Sequence, residues 1–362
     1  MAQTGILPDR EIAALFSDGA LVAPRPLDAD QVQPASLDLR LGNVAYRVRA
    51  SFLPGPDYKV SEKLERLKLH ELRLDEEGAV LEVGCVYIVP LMESLALPPD
   101  VSASANPKSS TGRLDIFTRV LTDRGPEFDK IAPGYSGQLY LEVSPRTFPI
   151  VVRPGSRLSQ IRFRRGNALL GEGDLAGLHE RETLVAAEAP NISGGGIALS
   201  IDLAGKPGEP VGYRAKHHTG LVDVDRKGGY EVSDFWEPLY NNGSKDLVLD
   251  PDEFYILVSR EAVHVPPAYA AEMTPFDPLV GEFRVHYAGF FDPGFGHSAA
   301  GGMGSRAVLE VRSHEVPFIL EHEQIVGRLV YEHMSALPQA LYGADLKSNY
   351  QGQALKLSKH FR

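Results

Sequence analysis

The sequence predicts a mainly β protein, built as two successive barrel- or sandwich-like units with few short helices. Three observations carry this expectation. Gly 35 and Pro 27 among 362 residues exceed the usual share, as a chain of many turns and short elements requires. Its strand-like segments are short, rich in β-branched and aromatic residues, and bounded by Gly and Pro. The chain also repeats itself. Segment 81–89 followed by Ala96-Leu97-Pro98-Pro99 is echoed by 252–258 followed by His264-Val265-Pro266-Pro267, an offset of 168 in numbering, from Pro99 to Pro267. Leu141-Glu142-Val143 returns as Leu309-Glu310-Val311 at the same offset, and Ile161 and Phe163 return as Leu329 and Tyr331. Ser36-Leu37-Asp38-Leu39 is answered by Ser200-Ile201-Asp202-Leu203, and Pro133-Gly134-Tyr135 by Pro293-Gly294-Phe295. We read this as a tandem duplication with compensating insertions.

The elements follow in order. Segment 8–16 reads as a helix with Ile12, Leu15 and Phe16 on one face, proline at the first turn and Gly19 near the stop. Segment 61–77 mixes Lys, Arg, Glu and Leu as an exposed amphipathic stretch does. Segments 86–89, 138–143, 254–258 and 307–311 read as strands. Residues 187–196, small and ending in three glycines, read as the linker or open loop between copies, and 297–304 as a loop inserted in the second. The expected domains are 1–190 and 191–340, followed by a C-terminal segment, 341–362, able to close as a lid.

Composition excludes several functions. Asp and Glu (48) outnumber Lys and Arg (37), for a net charge of −11, which disfavours a general nucleic-acid surface; an anionic ligand has to be small and locally caged. The single Cys85, in an apolar strand, rules out an intrachain disulfide and a thiolate zinc cluster. No apolar run approaches the ~18 residues of a membrane span, and the N-terminus lacks a signal-like pattern, so a soluble cytoplasmic protein is expected. His217, His218, His314 and His322 lack the spacing of a defined metal site and read as surface or loop histidines.

Three places could hold chemistry. Lys108-Ser109-Ser110-Thr111-Gly112-Arg113 offers hydroxyls and backbone N–H groups between two cations, a local phosphate cage or a plain helix cap. Glu142 and Glu310 interrupt apolar strands. Each is either a solvated residue or, on a pocket wall, a general base. The tail 342–353 carries tyrosines, amides and glycines able to fold over a ligand, against the alternative of a frayed end.

Taken together, the ordered set of Lys108–Arg113, Pro-Gly-aromatic, Leu-Glu-Val and the Tyr…Tyr-Gln-Gly-Gln tail resembles the dCTP deaminases of the dUTPase-like superfamily. Segments 6–12 and 35–42 resemble that family's N-terminus. The resemblance implies a distorted jelly-roll-like β fold and hydrolytic deamination of dCTP to dUTP and ammonia. It implies Mg2+ carried on the substrate triphosphate and no zinc. The metal-dependent deaminase patterns Pro-Cys-x-x-Cys and His-x-Glu are indeed missing from the sequence.

Family features are split between the copies. The first holds Ser109, Ser110 and Arg113 but has Ala132 where the family carries the aspartate that reads the sugar. The second reads 273–278 in place of the serine element, yet keeps Ala288, Asp292, Glu310 and the tail. A composite site is therefore expected. In it the resemblance implies Glu310 as base (Glu142 the alternative), Ser109 holding water or the exocyclic group, and Arg113 orienting the glutamate. Lys108 and Ser110 would bind phosphates, Asp292 the sugar hydroxyl, main-chain groups near Ala288 the base edge, and Tyr342, Tyr350 and Gln353 would close over the triphosphate. Asn349 stands where the family often has a phosphate-binding lysine, with Lys347 as a possible replacement. The alternatives are a dUTP diphosphatase, a bifunctional enzyme releasing dUMP, and an inactive nucleotide-binding regulator; a homo-oligomer is compatible with each.

Overall fold

The computed structural model describes residues 3–187, 189–275, 283–286, 289–298, 303–313, 315–343 and 355–362. It is β-rich, and the helices among these residues are five and short. In the first half one sheet runs in the order Lys68–Arg73, Val44–Val48, Val86–Ala96, Ser136–Pro145, Ile116–Thr122. A second sheet packs against it, with Ser159–Arg165 and Val101–Pro107 at its centre. The second half repeats this with Phe254–Val263, Ser305–Ser313 and Phe283–His286 in one sheet, and Tyr269–Pro275 with Ile325–His333 in the other.

The register repeats as well as the order. Glu142 pairs with Ile88 and Glu310 with Ile256; Ile161 pairs with Ala105 and Leu329 with Met273. Each first-half residue of these pairs stands one repeat offset before its counterpart, so matching side chains leave the same face of equivalent strands. Gly134 and Gly294 both take positive φ, 72° and 95°, in the matching Pro-Gly turns.

Alternation sends Leu139, Leu141 and Val143 into the main core. The opposite face is not solvated. Val60 and Leu64 of the helix Val60–Leu67 cover Tyr140, Ile88 and Leu121 in a smaller core, and the strand Lys68–Arg73 follows directly. The expected exposed stretch 61–77 is thus half roof, half edge strand. The N-terminal helix, Asp9–Ser17, buries Ile12 and Leu15 and is preceded by Pro8, as expected.

The expected linker is built differently. Helix Glu172–Arg181 sends Leu175 and Leu178 into the second core, followed there by Leu184 and Val185, so packing changes over before 190. Gly194 and Gly195, at φ 59° and 76°, form the two-residue turn of a hairpin in which Ser193 faces Gly196. Only glycine takes two successive positive φ values without cost. A linker and such a turn share a composition, which is why the sequence alone does not separate them. Of the expected loop 297–304, residues 299–302 lie outside the described ones.

The halves are joined by strand and core. Val222–Asp223 adds parallel to Ile150–Val152, and Phe148 packs edge-on against Phe235 and Trp236, with ring centroids 5.5 and 5.6 Å away. The C-terminal residues close the joint: Leu355, Leu357 and Phe361 pack on the same core and the Arg362 N–H donates to the Tyr230 carbonyl. Among the described residues no helix is long and apolar enough to cross a membrane.

Candidate functional site

At this joint lies a cleft of about 490 Å³, walled by both halves. From the first come Lys108, Ser109, Ser110, Arg113, Asp38 and Arg157; from the second, Asp292, Glu310, Phe290, Phe295 and Tyr342. Side chains far apart in sequence thus share one cavity.

The serine element begins as the strand Val101–Pro107 ends. Proline ends ladder pairing, Lys108 is extended at φ −68° and ψ 146°, and Ser109–Gly112 forms one helical turn. Asp38 pairs with the Lys108 ammonium, and Arg157 lies 3.7 Å from the same carboxylate. The C-terminal strap fastens the element from outside: Ser358 Oγ donates to the Ser110 carbonyl at 2.8 Å, and Arg113 Nη1 to the Lys356 carbonyl at 2.9 Å.

Across the cleft, Glu310 is 5% exposed on the strand Ser305–Ser313, with Arg113 Nε 3.9 Å from its Oε1. Burial pushes its carboxyl up to about 8, opposed by Arg113. A carboxyl that titrates near neutrality in a cleft can hold or release a proton at working pH. Asp292 is also raised by burial, against the pull of Arg162, whose Nη2 donates to its Oδ1 at 3.1 Å. Arg162 comes from the first half, is fully buried, and lies with its guanidinium 4.1 Å from the Phe290 ring centre. Asp292 opens the turn that continues through Gly294, where a Cβ would meet the Tyr342 backbone N at 3.1 Å. That close approach seats Tyr342 against Phe295, ring centroids 5.6 Å apart.

Glu142 is not in the cleft. It is 1% exposed and accepts from Arg119 Nη2 at 2.6 Å and Nε at 3.1 Å, within its own half. Ala288, Tyr350 and Gln353, with Lys347, Asn349 and His314, lie outside the described residues. His217 is exposed and pairs with Glu253 at 2.8 Å.

Sequence reasoning missed three cations of the lining and a fourth that braces Asp292. Lys227, Lys359 and Arg157 join Lys108 on one side of the cavity, and Arg162 stands behind Asp292. Burial, with the neighbouring Lys108 and Lys227, pushes the Lys359 ammonium down to about 8, the response of cations gathered together, against the weaker pull of Asp38 and Asp225. Asp38 had a signal, its recurrence as Asp202. Lys227 and Lys359 had none, since neither lies in a repeated motif. Among the described residues no three His, Cys, Asp or Glu side chains gather as metal ligands.

Fold and cleft together define a class: paired β units of common register that enclose, at their joint, a buried carboxylate facing hydroxyls and a cationic wall. Two family models, the N-terminal and C-terminal domains of 2'-deoxycytidine 5'-triphosphate deaminase, match residues 3–167 and 171–361. The chain belongs to the 2'-deoxycytidine 5'-triphosphate deaminase family. A dCTP deaminase of Pectobacterium atrosepticum is 34% identical over 166 residues, 43% of this chain and 82% of that protein. The crystal structure of 2'-deoxycytidine 5'-triphosphate deaminase from Agrobacterium tumefaciens is 72% identical and superposes with a TM-score of 0.88 over 93% of this chain and all of that one.

Proposed function

We propose that this protein deaminates dCTP at the composite cleft, adding water across cytosine C4 and releasing dUTP and ammonia. The observation that carries the reading is Glu310, a buried carboxyl raised to about 8, facing Ser109 and Arg113 from the opposite half. Glu310 takes a proton from the attacking water and returns one to the departing amine, leaving oxygen at C4 and a neutral leaving group. Ser109 holds the water or the exocyclic nitrogen, and Arg113 steadies the carboxylate. Asp292, braced by Arg162, accepts the sugar hydroxyl proton in a hydrogen bond. Main-chain groups near Ala288 read the base edge, and Tyr342, Tyr350 and Gln353 close the cleft. The scaffold is a duplicated domain in which each copy has kept a different half of the site. Zinc has no part in this scheme.

The triphosphate lies along Lys108, Ser110, Arg157, Lys227 and Lys359. Magnesium bound to the phosphates would offset part of their charge, and the cleft carboxylates Asp30 and Asp225, which pair with Arg157 and Arg153, would be its hard oxygen donors from the protein. Lys359→Met is expected to raise KM for dCTP about tenfold with little change in kcat, since one charge-assisted contact of about 1.5 kcal/mol is lost. Because Lys359 titrates near 8 before nucleotide arrives, binding at pH 8 is expected to take up protons, seen as a buffer-dependent binding heat.

Incubation of the protein with dCTP tests the reading. Equimolar dUTP and ammonia support it, dUMP with pyrophosphate would make the enzyme bifunctional, and tight dCTP binding without ammonia would leave a regulator.

A further inference from the structure

A second ion pair crosses the joint beside Glu310 and Arg113. Arg312 follows Glu310 by two in the strand Ser305–Ser313, so both side chains leave the same face. Asp115 follows Arg113 by two in the turn that leaves the serine element. Arg312 Nη2 contacts Asp115 Oδ2 and donates to Thr147 Oγ1 at 3.1 Å, while its Nη1 donates to the Asp252 carbonyl. Asp115 is 1% exposed and Arg312 7%.

The Asp115 end is held firmly. Its φ of 55° is left-handed, a conformation Asp tolerates better than most residues. Its N–H donates to the Gly112 carbonyl at 2.9 Å and its own carbonyl accepts from Arg146 N at 2.9 Å. By contrast, Arg113 and Glu310 approach only to 3.9 Å, an attraction without the directionality of a hydrogen bond. In the first half the position equivalent to Arg312 is Ser144, one repeat offset earlier, and Glu142 pairs through Oε1 with Arg119 in its own half. Of the two glutamate strands, the one bearing Glu310 is tied across the joint by a buried ion pair of this kind.

We propose that Arg312 and Asp115 are positioning residues for the deamination, setting the separation between the Glu310 carboxylate and the Ser109–Arg113 element. The proposal rests on Glu310 being the base. Neither residue lines the cleft, so their effect falls on alignment rather than on substrate contact.

Asp115→Asn keeps shape and tolerates the same φ, and Arg312→Lys keeps charge while losing the two-pronged reach. For Asp115→Asn, kcat on dCTP is expected to fall about 10- to 100-fold, the cost of a misplacement of about 1 Å, with KM within about threefold. The acid limb of kcat/KM is expected to move to higher pH as Arg113 withdraws from Glu310. Arg312→Lys is expected to retain more kcat than Arg312→Met, and it decides the matter should Asp115→Asn fail to fold. An unchanged kcat with only a lowered thermal midpoint, or a loss confined to KM, would overturn the proposal. Retained turnover in Glu310→Gln would instead overturn the assignment of the base, whatever Asp115→Asn does.

Discussion

Glu310→Gln is expected to lower dCTP deamination by about 10²–10⁴-fold, the range a positioned general base supplies, while Glu142→Gln keeps most of the activity. The two glutamates are equivalent in strand register, so chemistry alone does not separate them; environment does. Glu142 is held by Arg119, whose guanidinium lies 3.6 Å from the Phe128 ring centre, and it does not line the cleft. Glu310 does line it, and burial outweighs the pull of Arg113 on its carboxyl. In wild type kcat/KM is therefore expected to rise as pH passes through about 8, where the base of the free enzyme loses its proton.

Stability separates loss of chemistry from loss of fold. The Glu310 carboxyl is raised from 4.5 to about 8, so between those values the folded protein holds a proton that the unfolded chain has released. Its contribution is full below about 4.5 and is lost as pH rises through 8. The substituted amide carries no charge at any pH, so Glu310→Gln is expected to melt no lower than wild type at pH 9. A variant both inactive and much less stable would show that the side chain matters for folding, and activity shared equally by the two glutamate variants would dissolve the composite-site assignment.

Which parts were legible follows from the range of the forces involved. The repeat was readable because equivalent strands must send the same side chains to the same core, and alternation writes that requirement into Leu141-Glu142-Val143 and Leu309-Glu310-Val311 alike. The joining of Lys108–Arg113 to Asp292 and Glu310 was readable only through complementary losses in the two copies. Arg162 behind Asp292, and Lys227 and Lys359 at the cationic wall, depend on how one half seats on the other, which no local pattern encodes. The burial of Glu142 was hidden for a related reason. Its strand alternates as a half-exposed one does, and the helix Val60–Leu67 that roofs it is amphipathic enough to pass for a surface element.

Glu93→Ala is expected to cost about 3–5 kcal/mol of stability, the second of the large effects, because it takes the buried carboxylate away from a buried guanidinium. Arg40 and Glu93 are both fully buried in the first half. Glu93 Oε1 accepts from Arg40 Nε and Gln31 Nε2, each at 2.8 Å, and Oε2 accepts from the Arg40 backbone N–H at 2.8 Å. The remaining Arg40 nitrogens reach the Pro26 and Arg25 carbonyls at 2.9 and 3.3 Å, and Nη1 lies 3.5 Å from the partly exposed Asp28 carboxylate, which does not reach the buried Nε. At about 2–4 °C per kcal/mol for a unit of this size, the first melting transition is expected to drop by roughly 6–20 °C. The second half supplies an internal control. Glu261, the repeat counterpart of Glu93, accepts from Ser200 N at 2.8 Å and Ser200 Oγ at 2.6 Å, a backbone clamp of the same form without a buried guanidinium. Glu261→Ala should therefore cost only about 1–3 kcal/mol, the penalty for neutral groups left unsatisfied. The double change Arg40→Met with Glu93→Leu should recover part of the loss, since no charge is stranded, though the Arg40 N–H still lacks its acceptor. Equal costs for Glu93→Ala and Glu261→Ala, measured by denaturant unfolding, would mean that the guanidinium finds water when its partner goes and that the clamp on the incoming strand is the whole of the effect.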